Sequence, residues 1–161
     1  MFKRIVVPLD GSKLAEVALD QAKELAKLFD AELVLLRVID YSDIGSMGDF
    51  ELIYGFELMA LAVETERQAA NEYLAKHSIE LAAEGLKVTT QLVDGVASKV
   101  IVASAQDGDL IVMSTHGRSG LKRWILGSVA ESVLRHATVP VLSVRSSDTQ
   151  TAEAETSSQT S

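Results

Sequence analysis

Four continuous apolar runs of strand length constrain the folds open to this chain more than any other feature. They cover residues 4–9, 33–39, 109–113 and 139–144. A run in which apolar and polar residues do not alternate indicates a strand buried on both faces, as in a parallel sheet. A fifth run, residues 87–93, does alternate, which is typical of a strand at a sheet edge. The sequence therefore predicts five strands.

Helical patterns separate these runs. Behind Ser12, a residue type that often caps helices, apolar side chains recur every three or four positions as far as Leu28. Further helices are predicted over residues 57–84, 96–106 and 128–136. The resulting strict alternation of strands and helices predicts right-handed crossovers and a three-layer α/β sandwich around a parallel sheet.

Two segments break the alternation. Residues 40–56 contain three glycines and are long for a strand-to-helix connection, so they are either a lid over a ligand site or a mobile excursion. Residues 146–161 contain only Ser, Thr, Gln, Ala, Asp and Glu, which cannot bury enough apolar surface to order themselves. We therefore predict one domain over residues 1–145, followed by a disordered acidic tail over residues 146–161.

Composition excludes several classes of protein. Fifteen basic residues stand against 23 acidic ones, and the formal charge of −8 disfavours nucleic-acid and anionic-membrane partners. The absence of cysteine excludes disulfides, thiolate metal sites and a cysteine nucleophile. No uncharged apolar run approaches the ~18 residues that span a bilayer, and no secretion signal is visible. We expect a cytoplasmic protein.

A ligand site is expected beyond the carboxyl ends of the strands, where successive connections move to opposite sides of the sheet. If the first strand lies in the middle, the crevice lies between strands one and four. Strand one ends in residues 9–12, and the loop after strand four is rich in small residues and leads to Gly127 and Ser128 at a helix start. Glycines let the backbone approach a phosphate, and a helix N-terminus supplies N–H groups and partial positive charge. A local basic cluster in this loop consists of Arg118, Lys122 and Arg123. The pattern predicts a polyanion site.

Purely structural explanations of this loop stay open. Ser128 and Glu131 have the spacing of a capping box, so Ser128 could serve only to start its helix. Gly117 and Gly120 could likewise serve only a turn.

Other chemistries find little support in the sequence. No Gly-Lys pair occurs, which excludes a P-loop with efficient hydrolysis, and no Gly-x-Gly-x-x-Gly follows strand one, so NAD is not expected. His77 is predicted to pack or lie at the surface, and His136 ends the last helix, which leaves only His116 near the crevice. We therefore expect no catalytic residues and no protein metal site, although Mg²⁺ could accompany bound phosphates.

A phospho-accepting switch domain would share the five-stranded design. Asp94 after strand three, or Ser114 or Thr115 after strand four, could accept the phosphate. Such a domain needs an acidic pair after strand one and a lysine after strand five, where this chain has only Asp10 and then Arg145.

At the loop after strand four the sequence resembles the universal stress protein family, whose nucleotide-binding members carry Gly-x-x-Gly, nine residues, and then Gly-Ser or Gly-Thr. Here nine residues separate Gly117 from Gly127 and Ser128. The likeness covers nearly the whole chain before the tail, including Ile-Val-Val-Pro-Leu-Asp-Gly-Ser at 5–12, Leu-Leu-Arg-Val at 35–38 and Val-Pro-Val-Leu at 139–142. The resemblance implies a Rossmann-like fold of the adenine nucleotide alpha hydrolase-like type.

The resemblance also implies a function and a set of site residues. It implies binding of ATP, with AMP or a cyclic adenine nucleotide as alternatives, by a stress-response module with at most slow hydrolysis. The matching positions on the ribose and base side are Pro8, Leu9, Asp10 and Val38, and those on the wall are Met113, Ser114 and His116. Those at the phosphates are Gly117, Gly127, Ser128 and Val129, and Arg118 could add a charge-assisted contact.

One departure from the family motif bears on this function. Ser114 stands where the motif has its first glycine, so a side chain projects into a place that the pattern leaves empty. Family members without the motif do not bind ATP, and the alternative is therefore a homodimeric interaction module with an empty crevice. Family members usually dimerise through the last strand, which here begins at Val139 and ends at Val144. The regulatory protein partner is unknown.

Overall fold

The computed structural model describes residues 1–40, 48–115 and 126–145, and for residues 48–54 and 56 it describes the backbone only. Within these residues five parallel strands alternate with four helices. In chain order the elements are β1 (Arg4–Pro8), α1 (Lys13–Phe29), β2 (Glu32–Ile39), α2 (Gly48–Ala83), β3 (Val88–Asp94), α3 (Ala97–Ser104), β4 (Asp109–Ser114), α4 (Ser128–His136) and β5 (Val141–Val144). This is the predicted alternation of strands and helices. The predicted disordered tail, residues 146–161, lies outside the described residues.

The strand order is β3-β2-β1-β4-β5, with every neighbouring pair parallel. The first strand therefore lies in the middle, and the change of direction falls between β1 and β4, as predicted. The paired residues of β1 and β4 end at Val6 and Ile111, although β4 continues to Ser114 beside β5. The pairing of the two strands thus ends before their carboxyl ends, at the place where the crevice was predicted.

Apolar residues on both faces of the sheet explain the continuous runs. One cluster contains Val7, Leu35 and Val112 and packs against side chains of α1 and α2. The other contains Leu36 and Ile111 and packs against side chains of α3 and α4. Because side chains of a strand alternate between faces, a strand covered on both sides needs apolar residues at every position.

The two edge strands differ from the central ones. β3 lies at an edge of the sheet, as its alternating pattern predicted, but Thr89 and Thr90 are both exposed, so burial does not alternate along it. β5 begins at Val141 rather than at Val139. Val139 is buried ahead of the strand, and the carbonyl of Pro140 accepts a hydrogen bond from the N–H of Ile111.

Helix α1 begins as the sequence predicted. Ser12 is its N-cap and accepts a hydrogen bond from the N–H of Ala15 at 3.2 Å. The helix ends at Phe29, and its C-cap, Asp30, adopts a left-handed conformation with φ of 51°.

Helix α4 has its predicted bounds, whereas those of α2 and α3 differ from the prediction. Helix α2 begins at Gly48 rather than at residue 57 and is broken at Gly55, whose φ of 74° and ψ of 172° are not helical. Part of the predicted excursion at 40–56 is therefore helical, while residues 41–47 lie outside the described part of the chain. Helix α3 is shorter than predicted, with Val96 as its N-cap. No helix in the described part of the chain is long and apolar enough to cross a membrane.

Candidate functional site

A tight turn at the carboxyl end of β1 orients Asp10. The Asp10 carboxylate oxygen Oδ1 accepts a hydrogen bond from the backbone N–H of Ser12 at 2.9 Å. Gly11 between them has φ of +83°, a conformation that glycine adopts without steric cost. Ser12 also caps α1, so one short turn both starts that helix and holds a carboxylate at the edge of the crevice.

Backbone hydrogen bonds connect the end of β4 to β5 and to the start of α4. Thr115, which is buried, donates its N–H to the carbonyl of Val144 at 3.0 Å and accepts the N–H of Gly127 at 2.9 Å. The start of α4 is thereby fixed beside the carboxyl end of β4, although the loop at 116–125 lies outside the described residues.

Gly127, and not Ser128, is the N-cap of α4, so the capping-box interpretation was wrong. Ser128 is the first helical residue, and Glu131 accepts a hydrogen bond from Arg135 at 2.8 Å rather than closing a capping box. Because Gly127 has no side chain, it cannot cap the first N–H groups of α4. Those groups and the helix dipole favour an anion at this end of the helix. Ser128 and Val129 are exposed there.

Apolar side chains line the face of the sheet that α3 and α4 cover. Met113 is buried in this cluster and Val38 is partly buried against it. Val6 belongs to the same cluster, and the two-residue period of a strand places Pro8 on this face as well. This face therefore offers an apolar surface next to the crevice.

Two further predicted site residues, Leu9 and Ser114, do not belong to this apolar surface. The Leu9 side chain is 2% exposed and packs in the cluster on the opposite face, so only its backbone borders the turn. Ser114 is partly buried at the end of β4, beside Val144.

Several predicted site residues lie outside the described part of the chain. They are His116, Gly117 and Arg118, together with Lys122 and Arg123 of the basic cluster. Their contribution to a phosphate site stays a prediction.

Arg37 is a residue that the sequence reasoning did not single out as part of the site. It lies in β2, is 5% exposed, and donates from Nη1 to the carbonyl of Leu9 at 3.2 Å. From Nη2 it donates to Oε1 of Glu66 on α2 at 2.7 Å. A signal was present, because an arginine inside an otherwise apolar buried strand needs partners for its charge.

Other polar residues near the carboxyl edge have structural partners. Asp40 accepts the N–H of Ala97 at 3.0 Å and so caps α3. Asp94 accepts two hydrogen bonds from Nη2 of Arg67, at 2.8 and 2.7 Å. Asp94, the aspartate that a phospho-accepting domain would use, is therefore engaged in an ion pair with Arg67.

The two described histidines lie away from the crevice. His77 packs edge-on against Tyr73 with ring centroids 4.6 Å apart, and its nitrogens lie 3.6 Å from Glu16 and 3.5 Å from Glu80. His136 bonds the carbonyl of Ser132 at the end of α4. Within the described residues, no three His, Asp or Glu side chains are grouped so as to hold a metal ion.

Comparison with known sequences identifies the family. The sequence model of the universal stress protein family matches residues 1–145. The chain belongs to the universal stress protein family. Universal stress protein MJ0531 of Methanocaldococcus jannaschii is 39% identical over 150 residues, which cover 90% of this chain and 83% of the relative. Universal stress protein MJ0577 of the same organism is 36% identical over 155 residues, covering 90% and 96%.

Solved structures of universal stress proteins share the Rossmann-like fold. The structure of MJ0577 superposes with a TM-score of 0.79 at 33% identity and covers 92% of this chain and 99% of its own. A universal stress protein in complex with cAMP superposes with a TM-score of 0.60 at 23% identity, covering 91% and 98%. One from Archaeoglobus fulgidus in complex with dAMP gives 0.56 at 18%, covering 89% and 97%. The last two likenesses concern the fold alone.

Proposed function

We propose that this universal stress protein binds an adenine nucleotide in the crevice between the carboxyl ends of β1 and β4. ATP is the proposed ligand, with AMP or a cyclic adenine nucleotide as alternatives. The observation that carries the proposal is the start of α4, where a glycine N-cap lies beside the end of β4 through the bond from Gly127 to Thr115.

The phosphates would lie at the N-terminus of α4. The protein carries a formal charge of −8, so an anion must be held by local groups. The first N–H groups of a helix and its dipole supply such groups without a charged side chain. Gly127 leaves room for an oxygen at these groups, since it adds no Cβ. Gly117 and Arg118 would complete the cradle from the loop, as the family motif implies.

The nucleoside would lie along β1 and β2. A carboxylate only accepts hydrogen bonds and ribose hydroxyls donate them, so Asp10 is suited to the sugar. Its orientation by the N–H of Ser12 supports this role. Val38 and Met113 provide apolar surface for the base. The chain belongs to the universal stress protein family, and members of that family have been solved with cAMP and with dAMP, which is consistent with an adenine nucleotide as the proposed ligand.

We infer a regulatory role in a stress response in the cytoplasm rather than rapid turnover. The chain has no P-loop, and no motif places a general base, so any hydrolysis would be slow. Mg²⁺ bound to the phosphates would need little ligation by the protein.

We also propose a homodimer formed through β5. This strand is an edge of the sheet, and Leu142 on it is 40% exposed. Pairing β5 with its symmetry mate would remove that edge.

The test of nucleotide binding is mass spectrometry of the small molecules released on denaturation, followed by calorimetric titration with ATP and Mg²⁺. The diagnostic variant is Gly127→Val. Gly127 has φ of −61° and ψ of 147°, so valine fits the backbone and adds bulk where the phosphates would lie. Thr90→Val, on the exposed edge of β3, is the matched control.

We expect wild type and Thr90→Val to bind ATP and Gly127→Val to lose binding. A wild-type protein that releases no nucleotide and gives no heat with ATP would contradict the proposal and favour the interaction-module alternative.

A further inference from the structure

Arg37 is a buried cation in a strand whose other buried residues are apolar. Its side chain is 6% exposed. Leu33 and Leu35 of the same strand pack against α1 and α2, so the strand period places Arg37 on that face too. It therefore lies beneath the sheet, on the face opposite Val38.

The bond from Arg37 falls on the backbone that carries Asp10. The carbonyl of Leu9, which accepts from Nη1 at 3.2 Å, belongs to the peptide group that joins Leu9 to Asp10. A peptide group is planar and rigid, so fixing its carbonyl also fixes the direction in which the Asp10 backbone leaves it. The paired residues of β1 and β4 end at Val6, three positions earlier, so this peptide lies beyond that ladder.

The other end of the guanidinium is tied to α2. Nη2 of Arg37 donates to Glu66 at 2.7 Å, and the Glu66 side chain is 36% exposed. Helix α2 is thus connected to the Leu9–Asp10 peptide through one rigid planar group. A lysine could not serve both acceptors with the same fixed geometry, since its ammonium is a single point of charge on a flexible stem.

The hydrogen bonds of Arg37 within the described part of the chain do not satisfy all of its buried donors, so its contribution to stability does not explain its presence. Among the described residues its Nε has no hydrogen-bond partner, although that atom is buried. Burying a charge with an unsatisfied donor is costly, and apolar residues of similar volume often replace such groups without loss of stability. A role in placing the Leu9–Asp10 peptide explains why the guanidinium is there.

We propose that Arg37 is a positioning residue, which fixes the Leu9–Asp10 peptide from beneath the sheet and couples the ribose-binding carboxylate of Asp10 to helix α2 through Glu66. The proposal rests on the proposed function, because Asp10 is assigned to the ribose there. Under this proposal Arg37 acts through the Leu9–Asp10 peptide and not by contact with the nucleotide. Its effect is therefore on affinity for ligands that present ribose hydroxyls.

The experiment compares Arg37→Met with Arg67→Met. The control removes another arginine ion pair of α2, the one with Asp94 at 2.7 Å, which does not involve the Leu9–Asp10 peptide. Both variants and the wild type are titrated with ATP and with 2′,3′-dideoxy-ATP. Hydrogen–deuterium exchange is measured without nucleotide on the peptide that spans residues 9–12.

We expect Arg37→Met to weaken ATP binding by about tenfold, the effect of losing one charge-assisted hydrogen bond. Binding of dideoxy-ATP should hardly change, so the ratio of the two affinities falls towards one. Exchange at residues 10–12 should rise in Arg37→Met and stay at the wild-type rate in Arg67→Met. Arg37→Lys should restore the ratio only in part, and Glu66→Ala, which removes the acceptor on α2, should lower the ratio in the same direction as Arg37→Met.

Equal effects of Arg37→Met and Arg67→Met on exchange and on both nucleotides would overturn the proposal, because a general loss of stability would explain them. An unchanged ATP to dideoxy-ATP ratio in Arg37→Met would overturn it as well. If the wild type binds neither nucleotide, the proposed function fails and the link to affinity fails with it. The exchange measurement then still decides whether Arg37 holds the turn.

Discussion

Gly127 donates its backbone N–H to the carbonyl oxygen of Thr115 across 2.9 Å, and this bond fixes the N-cap of α4 beside the end of β4. The carbonyl of Gly127 in turn accepts the first helical bond, from the N–H of Glu131 at 2.8 Å. A residue with no side chain therefore stands where a capping side chain is usual. We interpret this as room for a ligand at the helix N-terminus.

Replacing the glycine by serine should separate stability from binding. Serine is a better N-cap than glycine, so Gly127→Ser should raise the free energy of unfolding by about 0.3 kcal/mol. Its hydroxyl would compete for the N–H groups that we assign to the phosphates, so ATP affinity should fall. Chemical denaturation and calorimetric titration measure the two quantities. A variant that is more stable and binds ATP as tightly as wild type would exclude the helix N-terminus from the phosphate site.

Two variants in the turn after β1 should also separate an effect on stability from an effect on ATP affinity. In Ser12→Ala the side-chain cap of α1 is lost, at a cost of about 1 kcal/mol of unfolding free energy. The backbone N–H that bonds Asp10 remains, so we expect ATP affinity close to wild type. In Asp10→Asn an amide oxygen can still accept from Ser12, but the charge is lost. That variant should keep its stability and bind ATP about tenfold more weakly. The reverse ranking in titrations would remove Asp10 from the site.

Strand positions were predictable because burial on both faces of a central strand leaves a continuous apolar run, and Val7 and Leu35 are examples. The N-cap of α4 could not be predicted, because a serine followed by a glutamate three residues later fits both a capping box and a first helical turn. The start of α2 was missed because Gly48 and Gly55 indicate loop, whereas the helix tolerates Gly55 only by breaking there. The contact from Arg37 to Leu9 depends on tertiary structure, and local patterns do not encode it.

We expect the stability of the protein to fall in alkaline solution because of Tyr73. Burial, and then the nearby Glu16 carboxylate, raise the pKa of the phenol well above its ordinary value. As the pH rises past about 10, the unfolded chain releases this proton while the folded chain keeps it. The folded state then binds more protons, so the free energy of unfolding decreases with rising pH. Lys27, whose pKa the hydrogen bond to Glu84 raises, adds to the loss in the same range.

Tyr73→Phe should therefore flatten this alkaline decrease. At neutral pH the variant lacks the hydrogen bond to Glu16 at 3.3 Å and should be less stable than wild type by at most about 1 kcal/mol. Denaturation curves at pH 7 and at pH values above 10 measure both effects. A Tyr73→Phe protein whose stability declines as steeply as that of wild type would assign the decrease to Lys27 and other groups.

The proposed dimer predicts an asymmetry between the two edges of the sheet. Leu142 on β5 is 40% exposed, so Leu142→Lys should change the stability of an isolated subunit by less than about 0.5 kcal/mol. In a dimer paired through β5 the same lysine would face its symmetry mate, and like charges and lost apolar contact should dissociate the subunits. Thr89→Lys on the opposite edge, β3, is the matched control and should leave the mass unchanged. Light scattering at micromolar concentration distinguishes these outcomes. A monomeric wild type, or a dimer that only Thr89→Lys disrupts, would show that β5 is not the interface.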